Sequence, residues 1–155
     1  PAEHPTVLDG RGSADGEDAV FHVVETHGDT LIDSVTITQG IAAGADPIDR
    51  CGGGLLVANG DCRARGVTFN HNRSIGCGGG AVYASGGRFH ATGSVFLDNT
   101  AHAGSGGAIQ VDDAELVLGS HPVADQLRTL GLPKRALMSM WMGKMRGSFE
   151  AAERC

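Results

Sequence analysis

The sequence predicts an all-β solenoid: a right-handed parallel β-helix of about four coils, with a short C-terminal α-helical tail or cap. Three observations predict it. Gly53-Gly54-Leu55-Leu56-Val57 returns as Gly79-Gly80-Ala81-Val82-Tyr83 and again as Gly106-Gly107-Ala108-Ile109-Gln110, with steps of 80 − 54 = 26 and 107 − 80 = 27. Phe69-Asn70-His71-Asn72 returns as Phe96-Leu97-Asp98-Asn99, and 96 − 69 = 27. Each unit also holds three short apolar bursts bounded by Gly, Asn, Asp or Ser. Such bursts are too short for helices and read as strands between turns.

The elements follow in chain order. Thr6 to Asp9, Ala19 to Val24 and Thr30 to Thr38 read as strands of the first coils. Val35-Thr36-Ile37 matches Val67-Thr68-Phe69 at a step of 67 − 35 = 32, so extra residues are expected in the Ile41 to Arg50 loop. The second unit has bursts at Leu55 to Ala58, Cys62 to Ala64 and Val67 to Phe69. The third has them at Ala81 to Ala84, Phe89 to Ala91 and Val95 to Leu97.

Coils stacked about 4.8 Å apart impose a register. Cys62, Phe89 and Leu116 form one inward column, and Ala64, Ala91 and Leu118 another. Leu56, Val82 and Ile109 are read as an inward row, with Ala58, Ala84 and Val111 as the next. Asp61, Arg88 and Glu115 fall on one outward line of alternating charge. Asn72 and Asn99 sit one above the other at a turn, where stacked amides can form a structural ladder.

A boundary is expected near Pro122, dividing a β-helix domain (1–122) from a helical tail or cap (123–155). Residues 1–122 carry 6 Arg and 15 Asp/Glu, net −9; the remainder carries 6 Lys/Arg and 3 Asp/Glu, net +3. Val123, Leu127 and Leu130, then Leu137 or Met138, Trp141 and Met145, have helical spacing, and Gly131-Leu132-Pro133 breaks it. Two readings stay open for this tail. Either it folds over the last coil with Trp141 buried, or it is an unnatural, partly disordered C-terminus.

Cys51 and Cys77 each lie three residues before the repeat glycine. Stacking brings them within reach of a disulfide, formed in an oxidising compartment; two unbonded thiols in a turn column are the alternative. Cys62 is expected inward and reduced, and Cys155 terminal. No CxxC-type metal spacing occurs, and no metal or cofactor is expected. No 18-residue apolar run exists, so no transmembrane segment is expected. The acidic coils argue against nucleic acid as partner. The sequence carries no signal of oligomeric state.

Candidate ligand-binding residues are Arg63, Arg88 and His90 on an outward strand face, together with Asp112 and Asp113. Arg63 and His90 are 27 apart and stack, as are His71 and Asp98. A carboxylate pair or an Arg beside calcium is the usual equipment for cleaving acidic polysaccharides on such a face. The Asp pair lacks the partner motifs of a pectin hydrolase and reads as a turn, so no catalytic residue is assigned.

The paired motifs Gly79-Gly80-Ala81-Val82, Gly106-Gly107-Ala108-Ile109, Phe69-x-x-Asn72 and Phe96-x-x-Asn99 resemble the repeats of the polymorphic outer-membrane protein family. More broadly they resemble secreted bacterial β-helix proteins with Gly-rich repeats. Leu8-Asp9-Gly10-Arg11-Gly12 and Val35-Thr36-Ile37-Thr38-Gln39-Gly40 are similar to the first coils of such proteins. The resemblance covers roughly residues 6 to 120 and implies a secreted, cell-surface or outer-membrane location, with adhesion in some members. It carries over no catalytic residues. The expected function is therefore a non-catalytic module that binds carbohydrate, or a host or matrix surface, or is purely structural. The alternative is a polysaccharide lyase or hydrolase, or a fragment of one. A remnant of a longer repeat protein is a third reading.

Overall fold

The computed structural model describes residues 5–12, 20–104 and 106–119. They form an all-β parallel solenoid with four levels of stacked coil. No α-helix occurs among the described residues. The tail at 123–155, the boundary at Pro122, Trp141 and Cys155 lie outside them.

One sheet stacks β1 (Thr6–Asp9), β4 (Val35–Thr38), β8 (Thr68–Asn70) and β11 (Val95–Leu97). A second takes the first two bursts of every unit together. Here β2 (Val24–Thr26) and β3 (Thr30–Asp33) lie under β6 (Leu55–Val57) and β7 (Asp61–Arg65). Both of these pair with the single long strand β10 (Val82–Thr92), which pairs in turn with β13 (Ile109–Leu118). The third sheet consists of two-residue strands, β5 (Ile41–Ala42), β9 (Arg73–Ser74) and β12 (Thr100–Ala101). Dipeptides of mixed polarity carry no periodic signal, which is why the sequence did not reveal this face.

Two expectations need correction. The strand read at Ala19 to Val24 begins at Val24 and runs to Thr26. The inward row of the second sheet is Leu55, Val82 and Ile109, not Leu56, and the next row is Val57, Ala84 and Val111, not Ala58. Leu55, Val57, Val82, Ala84 and Ile109 are all fully buried in the solenoid core. The cause is the run Gly52-Gly53-Gly54, which can be aligned with Gly79-Gly80 in two ways. The backbone selects one of them. Gly52, Gly79 and Gly106 have φ of 65°, 68° and 71°, and they are 27 residues apart. Only glycine adopts this left-handed turn cheaply, so the turn sets the register.

Inside, Phe89 lies between Cys62 and Leu116, and Ala91 between Ala64 and Leu118. Phe69 stacks on Phe96 with ring centroids 4.8 Å apart and planes 5° from parallel. Ile37 lies in register below Phe69, and Leu8 below Ile37.

The corner after this column is held by amides. Asn99 Oδ1 accepts from Asn72 N–H at 2.9 Å and from Asn72 Nδ2 at 3.1 Å, while Asn99 Nδ2 donates to Phe69 O at 2.9 Å. One coil lower, Asn72 Oδ1 accepts from Gly40 N–H at 3.1 Å and Asn72 Nδ2 donates to Ile37 O at 3.0 Å. Each side chain thus satisfies one backbone donor and one acceptor of the coil below, at a corner where the strands cannot do so.

Two substitutions test this core. Phe89→Asp places an unpaired charge in a fully buried column and should prevent cooperative folding, read by circular dichroism and urea unfolding. Asn72→Ala leaves Gly40 N–H and Ile37 C=O bare and should cost about 2–5 kcal/mol. Asn99→Ala, at a half-buried site, should cost less; equal or negligible losses would remove the ladder from the account of stability.

Candidate functional site

The outer face of the second sheet beyond its bend carries the charged columns. Leu31, Arg63, His90 and Val117 are in register, as are Asp61, Arg88 and Glu115, and Asp33, Arg65 and Thr92. The structure therefore brings Arg63, Arg88 and His90 together on one face. Its cations are engaged. Arg88 bonds Glu115 on the coil above at 2.8 Å, whereas Asp61 bonds sideways to Arg63 at 2.8 Å. Arg65 pairs with Asp33 on the coil below it. The guanidinium of Arg63 holds the Asp61 carboxyl below the usual carboxylate range, and Arg65, helped by Ser34, does the same for Asp33. His71 and Asp98 are exposed and 3.9 Å apart.

Asp112 and Asp113 do not join this face. They lie within β13, where Asp113 takes φ 53° at the bend, 27 residues after Gly86. Asp112 turns the other way. Its Oδ2 accepts from Tyr83 O–H at 2.9 Å and from Gln110 Nε2 at 3.0 Å.

That network borders a groove of about 560 Å³ lined by Ala45, Pro47, Ile48, Arg50, the Cys51–Cys77 disulfide, Gly76, Tyr83 and Asp112. The insertion after β5 forms one wall. The spacing from Ile41 to Leu55 is 55 − 41 = 14, against 82 − 73 = 9 and 109 − 100 = 9 in the next coils, so the five extra residues fall here. They turn through a 3-10 segment, Ile48–Arg50. Arg50 closes the loop on itself: Nε donates to Gly44 O at 2.9 Å and Nη2 to Ala45 O at 3.1 Å. Its stem crosses Gly76, where a Cβ would fall 2.7 Å from Arg50 Cβ.

Three fastenings hold the loop to the solenoid. Cys51 and Cys77 are joined, with Cα atoms 5.1 Å apart. Leu56 and Tyr83, outward-facing in the true register, pack beneath them as a small satellite core. His22 Nδ1 lies 2.9 Å from Gly52 O; a carbonyl only accepts, so the ring proton sits on Nδ1, with Nε2 buried and 4.0 Å from Asp49.

Arg50, Tyr83 and His22 were not singled out in the sequence. The signal that marks them is the break from a step of 32 to one of 27, ending at a cysteine. Cys62 is buried and unbonded, and burial raises its thiol to about 11. No group of three or more potential metal ligands occurs among the described residues.

Repeated coils, glycine corners and a clip between coils define a parallel β-solenoid repeat protein. Residues 66–85 and 93–112 match the Chlamydia polymorphic membrane protein repeat. The two matches start 93 − 66 = 27 residues apart, one coil, and each runs through the asparagine corner into the next glycine turn. The chain thus carries two coils similar to the repeat of that family. No curated protein and no solved structure matches the chain. No helix of the described residues is long and apolar enough to cross a membrane.

Two outcomes follow for the site. Removing the clip as Cys51→Ala with Cys77→Ala opens a 26-residue loop in the unfolded state and should cost about 3 kcal/mol in urea unfolding; an unchanged midpoint would show that the clip is not a stabilising link. Burial, and then its bond to Asp112, also raises the Tyr83 phenol. Tyr83 and Cys62 both hold their protons more tightly folded than unfolded. The Cys62 contribution is complete below pH 9 and is lost as pH rises through about 11, and the Tyr83 contribution is likewise lost on the alkaline side of its ordinary phenol range. Urea midpoints across this window should fall, and less steeply for Tyr83→Phe.

Proposed function

We propose that this chain is a non-catalytic recognition module, secreted or held at the bacterial surface, that binds a glycan or a host or matrix surface through the lateral face bearing Arg63, Arg88 and His90. The observation that carries this reading is the pairing of the face's arginines. Arg63, Arg65 and Arg88 each hold a carboxylate, in Asp61, Asp33 and Glu115. Acid–base cleavage needs a group free to take or give a proton beside the substrate. A carboxylate fastened to a guanidinium is a poor base, Asp112 stands on the other side of the bend, and Asp113 forms the bend itself.

Such a face is suited to holding an extended partner. It is near neutral, rich in hydrogen-bonding groups and regular along the stack. Leu31, 62% exposed, adds an apolar contact at its edge. Neighbouring Asp29, Thr30, Asp61 and Arg63 line a shallow recess with it. Individually weak contacts of this kind add up when they repeat along one ligand.

The test is binding of the purified chain to immobilised glycans and matrix proteins, with parallel analysis for released sugars. Saturable binding that weakens about tenfold in the Arg63→Ala, His90→Ala double variant, without sugar release, is the expected result. Release of reducing-end or unsaturated sugars would replace this reading with the carbohydrate-active enzyme. No binding to any surface would leave a structural role.

A further inference from the structure

We propose that the groove beside the Cys51–Cys77 clip binds one neutral pyranose unit of a glycan. The inference rests on the recognition reading above but uses a different surface from the lateral face.

The lining defines the chemistry. Arg50 and Asp112 bring one positive and one negative charge, so the groove carries no net charge. Neither residue forms an ion pair among the described residues. Arg50 spends Nε and Nη2 on the loop carbonyls, which leaves Nη1 to donate. Asp112 receives Tyr83 and Gln110 on the same oxygen, Oδ2, which leaves Oδ1 to accept. The raised Tyr83 phenol stays protonated at neutral pH and keeps Asp112 in place. The same lining includes Ala45, Pro47, Ile48 and the disulfide, which give it an apolar side.

Ligands can be sorted against that lining. A phosphate, sulfate or carboxylate meets Asp112 as a like charge, and a cation meets Arg50. A purely apolar group would strand both charges without partners, at a desolvation cost. A pyranose ring fits all three features. Its C–H face suits the apolar side, adjacent hydroxyls can donate to Asp112 Oδ1, and another hydroxyl can accept from Arg50. The groove is also pre-organised, which reduces the ordering cost of binding. Arg50 is pinned by two carbonyls and by the bare Cα of Gly76, and the wall is tied by the clip.

The experiment titrates the intact chain, by calorimetry, with neutral glucose-, galactose- and mannose-terminated trisaccharides and with sialylated and sulfated counterparts. At least one neutral series should bind and outcompete its charged counterparts. Asp112→Asn, close in shape but uncharged, should weaken it about tenfold. Gly76→Ala, which displaces the Arg50 stem, and Arg50→Gln should each weaken it too, while Leu97→Ser, exposed on a strand of the first sheet, should not. Intact disulfide by mass spectrometry and an unchanged unfolding midpoint certify that Asp112→Asn and Arg50→Gln are folded. Preference for charged glycans, no neutral sugar bound, or full affinity in Asp112→Asn would overturn the proposal. If surface binding is lost in Arg63→Ala and kept in Asp112→Asn, the groove proposal falls and the lateral-face reading stands. If neutral sugars bind the groove but the lateral variants change nothing, the lateral assignment falls instead.

Discussion

Vertical hydrogen bonding between coils is the constraint on which the rest of this structure depends. In a parallel stack, a strand's backbone groups find partners only in the coil above or below. Strands meet this condition along the three faces; corners cannot, because the chain turns away from the ladder. The Asn72–Asn99 corner meets it with side chains, each amide supplying the acceptor and the donor that the turned backbone lacks. The glycine corner meets it with conformation. Gly79 N–H and Gly80 N–H both reach Gly106 O on the next coil, at 2.8 and 3.3 Å, because the left-handed turn aims them upward. Any insertion must leave both corners in register or lose several buried bonds together.

This explains where the chain departs from its period. The five extra residues are looped out between β5 and the Gly52 turn, and the register resumes without error at Leu55. The looped-out residues have no coil above to bond with. They use self-contained bonds instead, such as Gly44 N–H to Asp49 O and Arg50 to Gly44 and Ala45. A loop satisfied only by itself is a marginal unit. The disulfide and the Leu56–Tyr83 cluster tie it down, and in doing so they enclose the groove. The regular part of the molecule supplies an extended surface. The irregular part supplies its concave one.

The fold was legible in the sequence because the period repeats the same physical requirement in every coil. Phe69 over Phe96, Cys62 under Phe89 and Asn72 under Asn99 all follow from one number. The legibility failed where that number was blurred. Three consecutive glycines, Gly52 to Gly54, allowed a one-residue slip that sent Leu56 inward and left Tyr83 without meaning. A slip of one residue exchanges the two faces of a strand, so the satellite core and the groove above it disappeared from view together. Of the candidate residues, Arg63 and His90 could be placed by spacing alone. Asp112 reads with Asp113 as a turn, whereas it lies within β13, and its bond to Tyr83 depends on which face Tyr83 occupies. Arg50 belongs to a segment without a period, and only the break in step that ends at Cys51 marks it.

The positions of the positive-φ residues carry the same logic into the surface chemistry. Gly86 and Asp113 occupy equivalent bends, at φ 80° and 53°, and the bend divides the second sheet's outer surface in two. Before it, side chains face the insertion loop and the clip. After it, they face open solvent as charged columns. Asp tolerates the left-handed conformation better than most residues because its short polar side chain can bond locally. Asp113 therefore reads first as a corner residue, and its carboxylate as a consequence of that. Asp112, one residue earlier, is in ordinary strand conformation and owes nothing to the turn. Its side chain is free to be selected for what it touches, and it touches Tyr83, the residue that the true register turns toward the groove. Of the two adjacent carboxylates, backbone geometry accounts for Asp113, whereas Asp112 is explained by the groove that it borders.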